Sequence, residues 1–245
     1  MKIKSTISYD GTNYCGWQKQ KNGISVQEVL ENALSSLLGE EIKIIGSGRT
    51  DAGVHAEGQV ASFSTAKENI PPEKYAFALN PILPPDVKIV KSEKVEKSFN
   101  ACTSAKKKTY QYSFYCSQIE LPLKERYSTR IYPMPNIEKM KKASKLFIGE
   151  KDFKNYCSTG GNVKTTVRTI YNLDIVNEGE DLIIKITGNG FLYNMVRIIA
   201  GTLLEVGYNK INLEQIENSF ESNGKKARGR TLPAKALKLL NVEYQ

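Results

Sequence analysis

Histidine is nearly missing from this chain, with His55 the only one among 245 residues. A structural zinc site therefore lacks convincing ligand spacing. Cysteine is also sparse: Cys15, Cys102, Cys116 and Cys157 stand apart, none in a Cys-x-x-Cys pair. Such unpatterned thiols suit a reducing compartment better than a disulfide scaffold. No run of about 18 apolar residues occurs, so no membrane-spanning helix is expected. Met1-Lys2-Ile3-Lys4 leads straight into a strand pattern without the apolar region of a signal peptide. These absences predict a soluble cytoplasmic protein.

What is present is an ordinary globular composition with an excess of base. Apolar residues make up 40% and charged residues 25%, enough for a real core in one large or two small domains. Lys and Arg number 35 against 26 Asp and Glu, a net charge of +9. That excess favours a polyanionic partner, although many basic proteins bind no nucleic acid.

The chain is organised around Gly46-Ser47-Gly48-Arg49-Thr50-Asp51-Ala52-Gly53-Val54-His55-Ala56. A carboxylate, a guanidinium, a hydroxyl and the single imidazole stand here among small residues. The glycines permit backbone angles closed to other residues and close approach to a ligand. Ile42 to Ile45 precedes the stretch and a strand-like run from Gln59 to Phe63 follows. This is a polar loop between buried strands, the usual place for function. The same residues also suit a plain turn in which Thr50 or Asp51 caps a short helix. No Gly-Lys-Ser/Thr follows, so it is not a phosphate loop, and its glycine spacing is not the dinucleotide fingerprint.

Around this loop the patterns alternate strand and helix. Ile3, Ile7 and Tyr9 share one face of a first strand. Trp17, the only tryptophan, is expected to pack in the core. Ser25 and Glu28 open a helix bearing Val26, Leu30, Leu34 and Leu37, closed by Gly39. Pro71-Pro72 starts a second helix to about Leu79, and Val87 to Val90 resumes as strand. Lys106 to Lys108 feeds a strand on which Tyr110, Tyr112 and Phe114 share a face. That stripe suits core packing, and aromatics beside basic residues also hold single-stranded bases. Asn136 caps a helix through Phe147 that Gly149 ends, 155–166 reads as an exposed loop, and Ile170 to Ile186 as a hairpin. A largely apolar helix runs from Phe191 to about Val206, with Arg197 its only cation before the C-terminal end. A buried guanidinium needs a carboxylate or phosphate partner. Asn212 caps a further helix, and Val242 to Tyr244 forms a last strand. The two halves, 1–120 and 121–245, show no sequence repeat.

Gly48-Arg49-Thr50-Asp51-Ala52-Gly53-Val54-His55-Ala56 resembles the signature of the TruA-type tRNA pseudouridine synthases. The resemblance extends to Tyr9-Asp10-Gly11-Thr12, Gly16-Trp17-Gln18, Ser25-Val26-Gln27, Thr109-Tyr110-Gln111-Tyr112, Val167-Arg168-Thr169-Ile170 and Phe191 to Arg197, covering nearly the whole chain in order. It implies an α/β (α+β) pseudouridine synthase fold. That fold is a mixed, mostly antiparallel central sheet with flanking helices, in two related halves around a cleft. It also implies a homodimer that isomerises uridine in the anticodon arm of tRNA, around positions 38 to 40, without cofactor or metal. By the same resemblance Asp51 is the nucleophile and Tyr110 contacts the target base. Arg197 pairs with Asp51, Arg49 helps turn the uridine out of its stack, and Leu237 lines the pocket. His55 is taken as structural.

Two departures stand out. Members of the family usually carry arginine where this chain has Cys102, after Phe99-Asn100-Ala101. They usually carry glycine where Ala236 stands in Pro233-Ala234-Lys235-Ala236-Leu237. Another RNA, such as ribosomal RNA, or a silent RNA-binding module are the alternatives these leave open.

Overall fold

A computed structural model describes residues 1–21, 23–160, 163–221 and 227–244. The chain divides into two compact units, residues 1–106 with 238–245, and residues 107–237. Each unit is a mixed, mostly antiparallel sheet with helices, in agreement with the α/β class expected from the sequence.

In the first unit, β1 (Lys2–Tyr9) lies between β3 (His55–Ser64) and β4 (Val87–Val95), antiparallel to both. Alternation puts Ile3, Ile7 and Tyr9 inward, and all three are buried. A two-residue strand, β2 (Ile45–Gly46), pairs with the far end of β3. The start of β3 is joined by β10 (Leu237–Glu243), which runs parallel with Lys238 opposite His55. Helix α1 (Val26–Leu38) forms as its cap predicts: Ser25 Oγ accepts from the Glu28 amide, and Gly39 ends it at φ 66°. Val26, Leu30, Leu34 and Leu38 give it one buried face. Pro72–Lys74 makes a 3-10 turn before the short α2 (Tyr75–Leu79), which packs on β4.

In the second unit, β5 (Lys107–Cys116) pairs antiparallel with β9 (Asp181–Gly188), β9 with β8 (Val167–Glu178), and β8 with β7 (Gly149–Asp152). The β8–β9 hairpin turns at Gly179, φ 63°. The short α3 (Pro122–Glu125) leads to β6 (Thr129–Ile131), parallel to β5. Helix α4 (Ile137–Ser144) is capped by Asn136, whose side chain accepts from the Lys139 amide. Helix α5 (Met195–Gly207) is the buried helix of this unit and packs against α4 and β5. Helix α6 (Leu213–Ser219) carries a full capping box between Asn212 and Gln215.

Three expectations need correction. The apolar helix begins at Met195 rather than Phe191, because Asn194 takes the left-handed conformation at φ 60°. The segment from Asn155 is not wholly an exposed loop. Asn155 and Tyr156 are buried, with Asn155 Nδ2 donating to Ser219 O at 2.6 Å. Gly149 does not end α4: the helix stops at Ser144, a 3-10 turn follows, and Gly149 opens β7.

Candidate active site

The signature loop is braced by the residues that precede α1. The Trp17 amide donates to Thr50 O at 3.0 Å, and a Cβ on Gly16 would stand 2.6 Å from that same oxygen. A Cβ on Gly11 would overlap the backbone carbonyl of Val54, and one on Gly46 the indole of Trp17. So the Tyr9–Thr12 and Gly16–Gln18 motifs enclose the loop backbone to backbone, which is why glycine stands at these places. Trp17 is buried, as core packing predicts.

Side chains complete the brace. The Tyr9 and Thr50 hydroxyls lie 2.7 Å apart, both buried. Burial raises the Tyr9 phenol well above its usual value, opposed by the hydrogen bond to Thr50. Gln59, fully buried on β3, accepts from Ser47 Oγ at 2.6 Å and donates through Nε2 to Gly48 O at 3.1 Å. A turn closed by the Val54 amide on Asp51 O at 3.1 Å, with Gly53 at φ 77°, then directs the chain into β3. Asp51 is half-buried at the head of this turn, and Arg49 is exposed two residues before it. Arg49 Nε donates to Gln18 Oε1 at 3.3 Å, and Gln18 in turn donates to Gln27 on α1 at 2.9 Å.

His55 is buried beside the 3-10 turn at Gly11–Asn13. Its Nδ1 lies 3.0 Å from the Gly11 amide and 3.1 Å from Asp10 Oδ1. A neutral imidazole accepts from Gly11, and a protonated one pairs with Asp10. In either state these contacts tie the turn to the start of β3.

Tyr110, Arg197 and Leu237 belong to the second unit. Tyr110 is buried on β5, edge-on to Phe191 with centroids 5.2 Å apart. Arg197, in the first turn of α5, is half-buried and donates from Nε to Leu232 O and from Nη1 to Asn194 Oδ1, both at 2.6 Å. Tyr112 donates to the next carbonyl, Pro233 O, at 2.9 Å and shares a 2.7 Å hydrogen bond with Thr129. Burial pushes its phenol up, against the pull of Thr129, Arg197 and Arg230. Lys235 pairs with Glu125 on α3. Arg197, Tyr112 and Glu125 thus fasten the segment that ends at the buried Leu237.

Sequence reasoning gave Tyr9, Gln18 and Gln59 no role in the site. The signal for Gln59 was there: a glutamine inside a strand whose neighbours on both sides are apolar needs a polar partner. Among the described residues no group of three His, Cys, Asp or Glu side chains could hold a metal ion, and no helix is long and apolar enough to cross a membrane.

The loop thus presents one carboxylate and one guanidinium on a braced backbone, and comparison with known proteins gives the family of the chain. A family model described as tRNA pseudouridine synthase matches residues 6–103 and 143–245. Proteins named tRNA pseudouridine synthase A match over 99% of both chains. That of Ruminiclostridium cellulolyticum is 46% identical over 244 residues, that of Thermoanaerobacter sp. 45% over 243, and that of Clostridium acetobutylicum 43% over 242. The chain belongs to the tRNA pseudouridine synthase family and is an isomerase. Residues 104–142, which hold Tyr110, lie outside the two segments of the family model, yet the full-length relatives align through them.

Proposed function

We propose that this enzyme converts uridine to pseudouridine in the anticodon arm of tRNA, around positions 38 to 40, as a homodimer in the cytoplasm. The observation that supports it best is the match, over 99% of both chains, to relatives named tRNA pseudouridine synthase A, with the signature loop intact. The net charge of +9 suits an RNA partner.

In this reading the C1′–N1 bond of uridine breaks, the uracil turns, C5 joins C1′, the proton on C5 leaves, and N1 takes up a proton. Atoms balance without a redox step. Asp51 is the nucleophile, attacking the sugar or the base. Arg197 supplies the countercharge that keeps a carboxylate ionised. Tyr110 contacts the base, Leu237 lines its pocket, and Arg49 fills the space in the stack that the flipped uridine leaves. Unstacking costs a few kcal/mol, which contacts to the extruded base offset. The brace around Thr50 and Gly48 supports this assignment, since a nucleophile on a fixed backbone loses little entropy on reaction.

Tritium release from tRNA labelled at uridine C5 tests the proposal. Asp51→Asn should abolish release while tRNA affinity changes less than about tenfold, because phosphate contacts dominate binding. Substantial residual release would remove Asp51 as nucleophile. Turnover should persist in a chelator provided the RNA stays folded, and loss restored by zinc would refute metal-free chemistry.

A second reading rests on Cys102 and Ala236, which stand where the resemblance leads one to expect arginine and glycine. There the reaction is the same and the target is another RNA. Product in ribosomal RNA fragments, with none in tRNA bearing U38, U39 or U40, would establish it.

A further inference from the structure

We infer that Asn194 is a positioning residue for Arg197, an inference that rests on the role proposed above for that arginine. Asn194 is the N-cap of α5, and asparagine is among the best capping residues. An ordinary cap has extended backbone angles and accepts from the amide of the third helical residue, which here is Arg197. Asn194 does neither. Its φ is 60° and ψ 5°, and its side chain makes no cap hydrogen bond. Instead Oδ1 accepts from the guanidinium of Arg197, Nη1 at 2.6 Å, and Nδ2 donates to Ser158 Oγ at 3.0 Å.

Two local preferences are given up at this point. A non-glycine residue occupies the left-handed region, and a cation sits in the first turn, where the helix dipole is unfavourable to it. Both departures serve one geometry. With the asparagine side chain turned off the backbone, the guanidinium is gripped on one side by Asn194 Oδ1 and on the other by Leu232 O, again at 2.6 Å. Arg197 can only donate, so the amide oxygen faces it and the amide nitrogen is left to Ser158 Oγ; the Ser158 amide is itself held by Tyr193 O at 3.1 Å. A planar donor held at two edges keeps one orientation, as a countercharge for chemistry needs.

Glycine and aspartate separate this role from a backbone role. Asn194→Gly adopts the left-handed angles without steric cost but has no acceptor. Single-turnover tritium release should slow by about tenfold or more, with tRNA affinity within about threefold, since the loss falls on the chemical step. Asn194→Asp keeps an acceptor and tolerates the backbone, and should recover most of the rate. In an Arg197→Met background, Asn194→Gly should change the rate by less than about threefold, because its route of action is gone. Wild-type speed in Asn194→Gly, an unfolded glycine variant, or the same loss in both backgrounds would overturn the inference. Should Arg197→Met alone react as fast as the wild type, the role of Arg197 falls and this inference with it. A slow Arg197→Met beside a fast Asn194→Gly removes only Asn194.

Discussion

Gly16 lies against the carbonyl oxygen of Thr50, so closely that a Cβ on it would stand 2.6 Å away, and its φ of 108° is one that L side chains rarely adopt. Gly16→Ala is therefore strained in both backbone and contact. It should lower stability by about 1–3 kcal/mol, read from urea unfolding, and slow tritium release by moving the loop that carries Asp51. Unchanged stability would show that the loop yields freely.

The Tyr9–Thr50 pair gives a second measurement. Both hydroxyls are buried and 2.7 Å apart. Tyr9→Phe leaves Thr50 without that partner and should cost about 1–2 kcal/mol. Thr50→Val should cost a similar amount. The double variant should cost less than the two losses added, since one bond is counted twice. Strict additivity would mean that the pair is not coupled.

Buried phenols set the response to alkali. Burial raises Tyr156 from 10.0 to about 12, against the hydrogen bond it shares with Ser219, and burial raises Tyr9 and Tyr112 as well. A phenol whose pKa is higher in the folded state contributes its stability fully below the unfolded value. That contribution is lost as pH rises from about 10 through the folded value, at about 1.4 kcal/mol per pH unit for each group. Urea unfolding between pH 9 and pH 12 should show this decline. Tyr156→Phe should be less stable at pH 8 but decline less steeply above pH 10; an equal slope would refute the attribution.

Cys102 offers a test of the RNA target. It is exposed, and its turn is held by Asn100 Oδ1, which accepts from the amides of Cys102 and Thr103 at 2.9 and 3.1 Å. Cys102→Arg leaves that turn intact and adds a forked donor. The salt slope of tRNA binding should steepen by about one unit, with little change in turnover if the anticodon arm is the target. A large rise in turnover on tRNA would favour a different natural substrate for the cysteine form.

Local chemistry made much of this fold readable. Ser25 and Gly39 bracket α1 because a cap hydroxyl and a left-handed stop act within one turn. The β8–β9 hairpin shows itself by alternation on either side of Gly179. Structure fixed by distant partners was not readable. Asn155 is buried because Ser219 accepts from it, and no pattern near Asn155 foretells that. The start of α5 moved because Asn194 serves Arg197 instead of the helix. The short strands β2, β6 and β7 carry too few residues to show a period. In the candidate site, the resemblance named the charged groups. The residues that brace them, Tyr9, Gln18 and Gln59, act through contacts that only the folded backbone creates.

The strand β10 joins the unit of the signature loop although nearly the whole second unit is made before it. It runs beside His55 and Ala56, the residues on which the loop ends, and Leu240 O packs where a side chain on Gly58 would stand. During synthesis, then, the loop and β3 exist for most of translation with the adjacent edge of that strand unsealed. Such an edge is a template for misplaced pairing. Ala56 and Gly58 give a stray strand little side-chain surface to grip, so the composition that lets β10 lie close also makes the waiting edge a poor seed for aggregation.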